Sequence, residues 1–328
     1  MYLITLNKKN IALAISEAVR VLKPKTHTLY EDSLLMQALK FKNFNEIDLG
    51  LIRTINKVIV MSDDINTLKL KLSKLKLKKY YKDSYKVECS NYKEDHDKII
   101  KSISSIVFKS LETKNKNKAK IDVNNPKTLF KCIKIGNKNF FVIELWKNKD
   151  DIRDRENKEL PEKMPTTLNP KIAKAMLNLT GLRKGKIIDP FCGAGGILIE
   201  AARRKFRTTG YDIDKRVIGK AKLNLLHLGI KNVILEKRDA LTMDKKFSAV
   251  VTDLPFGKNS KVEMELKELY SAFLKKALKY TKIIVIGMPA EIPKSIIPLQ
   301  WKIINFFDIY IHKSMTKRIY LLKKNKIN

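Results

Sequence analysis

Asp253-Leu254-Pro255-Phe256 puts a carboxylate, a stiffened bend and an aromatic face side by side in the chain. That set suits attack by an amine attached to a flat ring. Such an amine is a poor nucleophile because its lone pair is delocalised into the ring. A carboxylate accepting one N–H and a backbone carbonyl accepting the other localise the pair and aim it at a methyl carbon. Asp253 can supply the carboxylate and afterwards take the proton. The Leu254 or Pro255 carbonyl can supply the second acceptor, since proline stiffens the loop. Phe256 offers a plane against which a flipped base can stack. Out of context the same residues make a plain Asp-Pro turn, but Ser248 to Thr252 reads as a buried strand that delivers them to a sheet edge.

A second constellation implies the methyl donor. Asp189, Pro190, Phe191, Cys192, Gly193, Ala194, Gly195 and Gly196 follow a short apolar strand and open a helix. The glycines allow a sharp turn and close approach of a ligand. In a doubly wound sheet this turn after the first strand is where ligands bind. Asp189 would repel a pyrophosphate, which speaks against a dinucleotide, but it suits the cationic amino group of a methionine moiety. S-adenosylmethionine carries no phosphate for a helix N-terminus to cradle. Asp212, ending the second strand, is placed for the ribose hydroxyls, while Asp214 is suited to cap the next helix. Asp239 is placed to accept from an adenine amine, with the Ala240 N–H meeting the ring. One such aspartate reads as a cap or turn; three in order after successive strands read as a cofactor site. Cys192 has no histidine at a suggestive spacing and reads as a small residue beside the backbone, not a nucleophile.

Elements of alternating period must position these residues. After a seam near Lys147 to Leu168, helices are expected at Pro170 to Leu177, Gly196 to Lys205, Lys215 to Leu228 and Glu263 to Tyr280. Strands are expected at Lys186 to Asp189, Thr208 to Asp212, Val233 to Lys237, Ser248 to Asp253 and Lys282 to Gly287. Lys302 to His312 and Arg318 to Leu322 should close the sheet as an antiparallel hairpin. The fold class is α/β: a Rossmann-like, seven-stranded, mostly parallel sheet whose last strand is antiparallel.

Before the seam the pattern is α+β. Strands are expected at Lys57 to Met61, Tyr85 to Cys89, Ala119 to Val123, Leu129 to Ile135 and Asn139 to Leu145, with helices at Thr67 to Lys79 and Asp95 to Leu111. Ser62-Asp63-Asp64 offers helix-capping oxygens. The charged, proline-bearing seam reads as an extended linker at 149–164. The division is then 1–50, 51–148, linker and 165–328.

With 68 basic against 34 acidic residues the formal charge is +34, which suggests a polyanionic partner because Lys and Arg release condensed counterions from phosphates. Lysine bias also follows from an A·T-rich genome or growth at high temperature. Charge alone does not choose between RNA, DNA and a membrane surface. Three widely spaced cysteines without a CxxC pair argue against a disulfide framework or a metal site and for the cytoplasm. The apolar runs are too short to span a bilayer, and no obligatory protein partner is evident.

The run Met164-Pro165-Thr166-Thr167-Leu168-Asn169-Pro170, then the Asp189 to Gly196 turn, Gly210-Tyr211-Asp212-Ile213-Asp214, Arg238-Asp239-Ala240 and Thr252 to Ser260 together resemble the archaeal and eukaryotic THUMP-containing tRNA guanine-N2 methyltransferases. Ser84-Tyr85-Lys86-Val87, Asn125-Pro126 and Phe140 to Leu145 resemble the THUMP module itself, preceded by a ferredoxin-like segment. The resemblance implies cofactor residues from Asp189 to Gly196 with Asp212 and Asp239, and catalysis by Asp253 to Phe256. It also implies a tRNA partner, docked by the N-terminal module, with Phe256 and Lys258 on the substrate. Gly257-Lys258-Asn259-Ser260 resembles the branch acting on guanosine 10 rather than guanosine 6, giving N2-methyl- or N2,N2-dimethylguanosine. Leu254 stands where many relatives have proline, and Phe256 where they have tyrosine. The loop chemistry by itself also suits an adenine or guanine amine in rRNA or DNA, and a non-catalytic RNA-binding module is the reading from another class.

Overall fold

A computed structural model describes residues 1–40, 43–92, 95–112, 119–256, 260–312 and 315–325, with backbone alone at 45, 260–264 and 312. The chain forms two compact units. One comprises Met1–Ile11, Leu22–Asp48 and Ile52–Lys149; the other comprises Ala12–Val21, Leu49–Leu51 and Asp150–Asn328.

In chain order the first half runs β1 (Tyr2–Leu6), α1 (Ile11–Leu22), β2 (Thr26–Tyr30), β3 (Ser33–Gln37), β4 (Ile52–Ser62), α2 (Ile65–Ser73), β5 (Ser84–Ser90), α3 (His96–Leu111), β6 (Lys120–Ile121), β7 (Thr128–Ile135) and β8 (Lys138–Lys147). One eight-stranded sheet, ordered β2-β3-β1-β4-β8-β7-β5-β6, holds the strands of this half. Its order runs without a break from 1–50 into 51–148, through the β1–β4 pairing. Asp64 caps α2, its carboxylate accepting the Thr67 amide at 2.6 Å. The helix expected to Lys79 stops at Ser73, and the strand expected from Ala119 to Val123 shrinks to β6. Ile99, Ile103, Val107 and Leu111 recur at helical spacing on α3 and pack with Phe130, Cys132 and Phe141 of the sheet.

The second half runs α4 (Pro170–Leu179), β9 (Lys186–Asp189), α5 (Gly196–Arg203), β10 (Arg207–Asp212), α6 (Lys215–His227), β11 (Val233–Lys237), β12 (Ala249–Asp253), α7 (Ser260–Ala277), β13 (Ile283–Pro289), β14 (Trp301–His312) and β15 (Met315–Lys324). The sheet order is β11-β10-β9-β12-β13-β15-β14. β9 to β13 are parallel, while β15 lies antiparallel between β13 and β14. The order reverses between β9 and β12, a topological switch point where a crevice opens at the strand carboxyl ends. Ile188, Val250, Ile284, Ile286 and Tyr320 form the core with Tyr270, Phe273 and Leu274 of α7. Among the described residues no helix is long and apolar enough to cross a membrane.

Within the charged run 149–164, read above as a linker, Ile152, Arg155 and Leu160 are buried among residues that are otherwise exposed or half-buried. Arg155 is 2 % exposed. Its Nε donates to Glu200 Oε1 at 2.6 Å, and a terminal nitrogen reaches Asp150 Oδ2 at 2.7 Å. Lys174 joins the same Asp150 oxygen at 2.5 Å. Burial drives the Glu200 carboxyl upward in pKa, opposed by Arg155 and Lys174. Burial also acts on Asp150, but there the two cations prevail and hold it below the ordinary range. This network ties the segment before α4 to α5, the helix that follows the glycine turn. Arg155→Met, which strands a buried carboxylate, is expected to lower the unfolding free energy of this unit by about 3–5 kcal/mol. Chemical denaturation checks this; an unchanged midpoint would show that the pair holds nothing.

Candidate active site

The carboxyl ends of β9, β10 and β12 wall a cavity of about 410 Å³. Of the turn residues, Asp189, Pro190, Phe191, Cys192, Gly193, Ala194 and Gly196 line it, and so do Asp212, Asp239, Ala240 and all of Asp253 to Phe256. Gly195 does not; with φ of +89° it makes the bend into α5, just as Gly193 at +52° makes the bend before it. An L side chain is strained at either angle, so the turn depends on these glycines. Lys258 lies outside the described residues.

Asp189 is 2 % exposed. Its Oδ1 accepts the Thr252 hydroxyl at 2.6 Å and the Phe191 amide at 3.2 Å. Burial lifts its pKa to about 7 against those two hydrogen bonds, and the charges of Asp253 and Asp212 add to the rise. Asp212 accepts the Gly193 amide on one oxygen at 3.2 Å and the Asp214 amide on the other at 3.0 Å, bracing the glycine turn. Asp214 caps α6 by accepting the Arg216 amide at 2.8 Å. Asp239 is also a cap, accepting the Leu241 amide at 2.8 Å, while lining the cavity. The Cys192 thiol is pushed up by burial and by Asp189 and Asp212, which keeps it a protonated, inert group.

Asp253 ends β12 opposite Gly287 of β13. Its Oδ2 pairs with the Lys317 ammonium from β15, and Oδ1 is buried without a hydrogen-bond partner. Burial pushes the Asp253 carboxyl up and Lys317 opposes it. The Leu254 amide donates to the Gly287 carbonyl at 2.9 Å, pinning the loop to its neighbour strand. The Tyr270 hydroxyl of α7 donates to the Pro255 carbonyl. The Pro255 carbonyl thus already accepts one hydrogen bond, which leaves the Leu254 carbonyl the less engaged of the two candidate acceptors. Burial keeps the Tyr270 hydroxyl protonated and able to donate.

Sequence reasoning missed three parts of this site. Met164, Thr166, Thr167 and Leu168 line the cavity, although they served only as a mark of resemblance. Tyr270 had no signal beyond helical spacing. Lys317 was one lysine among many.

The donor set fits S-adenosylmethionine. A buried carboxylate whose partners are a hydroxyl and an amide invites a cation, and Pro190, Phe191, Ile197, Ile213 and Leu269 give the cavity apolar walls. The parallel sheet, its inserted antiparallel strand and this carboxyl-edge cavity define a Rossmann-like class I methyltransferase. Residues 158–292 match the family described as UPF0020, the RMKL-like methyltransferase domain. The chain is 31% identical over 257 residues to a tRNA (guanine(10)-N2)-dimethyltransferase of Methanothermobacter thermautotrophicus, covering 75% of each chain. A protein of the same name from Methanocaldococcus jannaschii is 29% identical, over 70% of this chain and 68% of that one. The chain belongs to this family of tRNA (guanine(10)-N2)-dimethyltransferases. In fold it is similar to TrmN from Thermus thermophilus, at 16% identity and a TM-score of 0.56 over 99% of both chains. A possible methylase from Clostridium difficile gives a TM-score of 0.54 at 16% identity, over 100% of this chain and 99% of that one.

A Cβ added at Gly287 would stand 2.3 Å from Asp253 Oδ1. Gly287→Ala is therefore expected to displace the carboxylate and cut methyl transfer by at least about 100-fold, the scale of a misplaced catalytic group. Assay of transfer beside circular dichroism checks it: full activity in a folded variant would mean that Asp253 tolerates the shift.

Proposed function

We infer that the chain methylates the exocyclic N2 amine of a guanosine in tRNA, at position 10, with one or two methyl groups added. The observation that carries this reading is the Asp253 carboxylate, set beside the Leu254 carbonyl and the Phe256 ring on the cavity that the acid-glycine turn also lines. S-adenosylmethionine, when bound, supplies a methyl group on a positively charged sulfur. Asp189 holds the donor's ammonium, Asp212 its ribose and the Asp239-Ala240 segment its adenine. Asp253 accepts one N–H of the target amine and the Leu254 carbonyl the other, which draws the lone pair out of conjugation. Asp253 then takes the proton that the nitrogen sheds. Phe256 stacks on the guanine and Lys258 meets the substrate.

The first unit serves as the tRNA-docking module, with a ferredoxin-like segment over 1–50 and a THUMP-like domain over 51–148, ahead of a methyltransferase domain at 165–328. Support comes from the α+β order around α2 and α3, from the charge of +34 and from the names of the relatives. A tRNA substrate and three free cysteines favour a cytoplasmic location.

Labelled cofactor, tRNA transcripts and mass spectrometry of the product nucleosides test the reading. The expected product is N2-methyl- or N2,N2-dimethylguanosine at position 10; methyladenosine, label at guanosine 6, or preference for rRNA or DNA would overturn it. Asp253→Ala is expected to abolish transfer while leaving tRNA affinity within about three-fold, because phosphate contacts dominate affinity. Unchanged activity would remove Asp253 from the mechanism.

The raised Asp189 pKa gives a second test. A cationic ligand binds the ionised carboxylate, so affinity is full above a pH of about 7 and falls below it. S-adenosylhomocysteine, which carries the same ammonium, is expected to bind about 30-fold more weakly at a pH of about 5.5 than at about 8. Asp189→Asn should bind weakly at both. Calorimetry checks this, and a flat affinity across that range would exclude Asp189 as the ammonium partner.

A further inference from the structure

The loop bearing Asp253 leans on a residue that the reaction above does not use. Lys317 is 5 % exposed. Its Nζ donates to Asp253 Oδ2 and lies 5.0 Å from the centroid of the Phe256 ring. β13 opens the path for it. Gly287 stands opposite Asp253 on one side and Ile319 on the other. Lys317, two residues before Ile319, reaches diagonally over this glycine; an added Cβ would sit 3.3 Å from Lys317 Cδ.

Stripping water from a carboxylate favours the neutral acid, which donates a hydrogen bond through its O–H instead of accepting through both oxygens. The groups facing Asp253 are Lys317 from β15, Asp189 from β9 and Tyr270 from α7, while β13 presents the Gly287 backbone. Asp189, when ionised, repels a second negative charge and so works in the same direction as burial. Tyr270 is neutral. Lys317 is the group that works the other way.

We propose that Lys317 is a positioning residue for methyl transfer: it holds Asp253 as an oriented carboxylate and sets the Phe256 plane against it before the base arrives. This rests on the methyl-transfer reading of the site. One ammonium touches both functional side chains of the loop, so acceptor and stacking face move as a unit. The Phe256 contact is a cation–π interaction strengthened by the scarcity of water around Nζ.

Lys317→Met keeps the stem and removes the charge; Lys317→Arg keeps the charge. Single-turnover transfer by the full chain to a tRNA transcript, with saturating cofactor, is to be followed from about pH 6 to about pH 9. In Lys317→Met the acid limb of the rate profile is expected to move up by about one unit or more. The loss then approaches about tenfold at pH values below the unchanged protein's acid limb and shrinks at alkaline pH. KM for tRNA and the affinity for S-adenosylhomocysteine should stay within about two-fold. Lys317→Arg should recover the acid limb. A loss of equal size at every pH, or a Lys317→Met profile that overlays the unchanged protein's, overturns the proposal. If Lys317→Met fails to fold, the double variant Asp253→Asn/Lys317→Met decides. It is expected to fold because no charge is left unpaired, and a double variant as unstable as the single one overturns the proposal. Absence of transfer by the unchanged protein overturns the functional reading and this proposal together, whereas a pH-independent loss overturns the proposal alone.

Discussion

Asp189, Asp212 and Asp253 line one cavity with apolar walls, and much of the local structure answers the burial of Asp189 and Asp253 and the repulsion among the acids. Carboxylates a few ångströms apart interact strongly once solvent is withdrawn. The rise of Asp189 to about 7, caused first by burial and then by the charges of Asp253 and Asp212, records that tension. The Thr252 hydroxyl, the amides of Phe191 and Gly193 and the Lys317 ammonium each offset part of it. A cationic ligand would offset more. The apolar walls therefore do two things: they fit the ligand's uncharged parts, and they keep the field of the acids unscreened. This is electrostatic preorganisation, in which dipoles and charges are fixed before the reaction needs them.

The sheet topology makes the arrangement possible. Parallel strands present their carboxyl ends on one edge, and the reversal between β9 and β12 leaves room there. Asp189 and Asp253 end those two strands, and Thr252 bridges them with one hydrogen bond of 2.6 Å. The site is thus cross-linked at the switch point itself. Behind it, the Arg155–Glu200–Lys174–Asp150 network fixes α5, whose first residue closes the glycine turn.

What sequence could reveal was local. The turn from Asp189 to Gly196 and the loop from Asp253 to Phe256 are contiguous, so residue type and order describe them, and the strand-helix alternation orders them along one edge. The α/β class, the antiparallel closing hairpin and the Asp64 and Asp214 caps follow from the same short-range logic. Non-local partners escaped it. Lys317 follows Asp253 by 64 residues and sits in a stretch whose lysines look solvated. Tyr270 is placed by α7, whose apolar spacing looks like any core-facing helix. Arg155 lies in a run so charged that burial of its guanidinium leaves no trace in composition. The segment from Met164 to Leu168 looked like a proline-bearing connection, yet it lines the cavity. In each case a charge or hydroxyl is buried because a distant partner meets it, and pattern along the chain carries no record of such partners.

The position of β15 has a consequence for the birth of the molecule. This strand follows every other strand of its sheet in the chain, yet it lies between β13 and β14 instead of at an edge. A nascent chain emerging from the ribosome presents Asp253 before it presents Lys317. Until β15 threads into its slot, β13 has an open edge, and the loop carboxylate lacks its ammonium. Pairing of the loop carboxylate and completion of the sheet are then one late event, so a partly made chain holds the glycine turn while Asp253 still lacks its counter-charge.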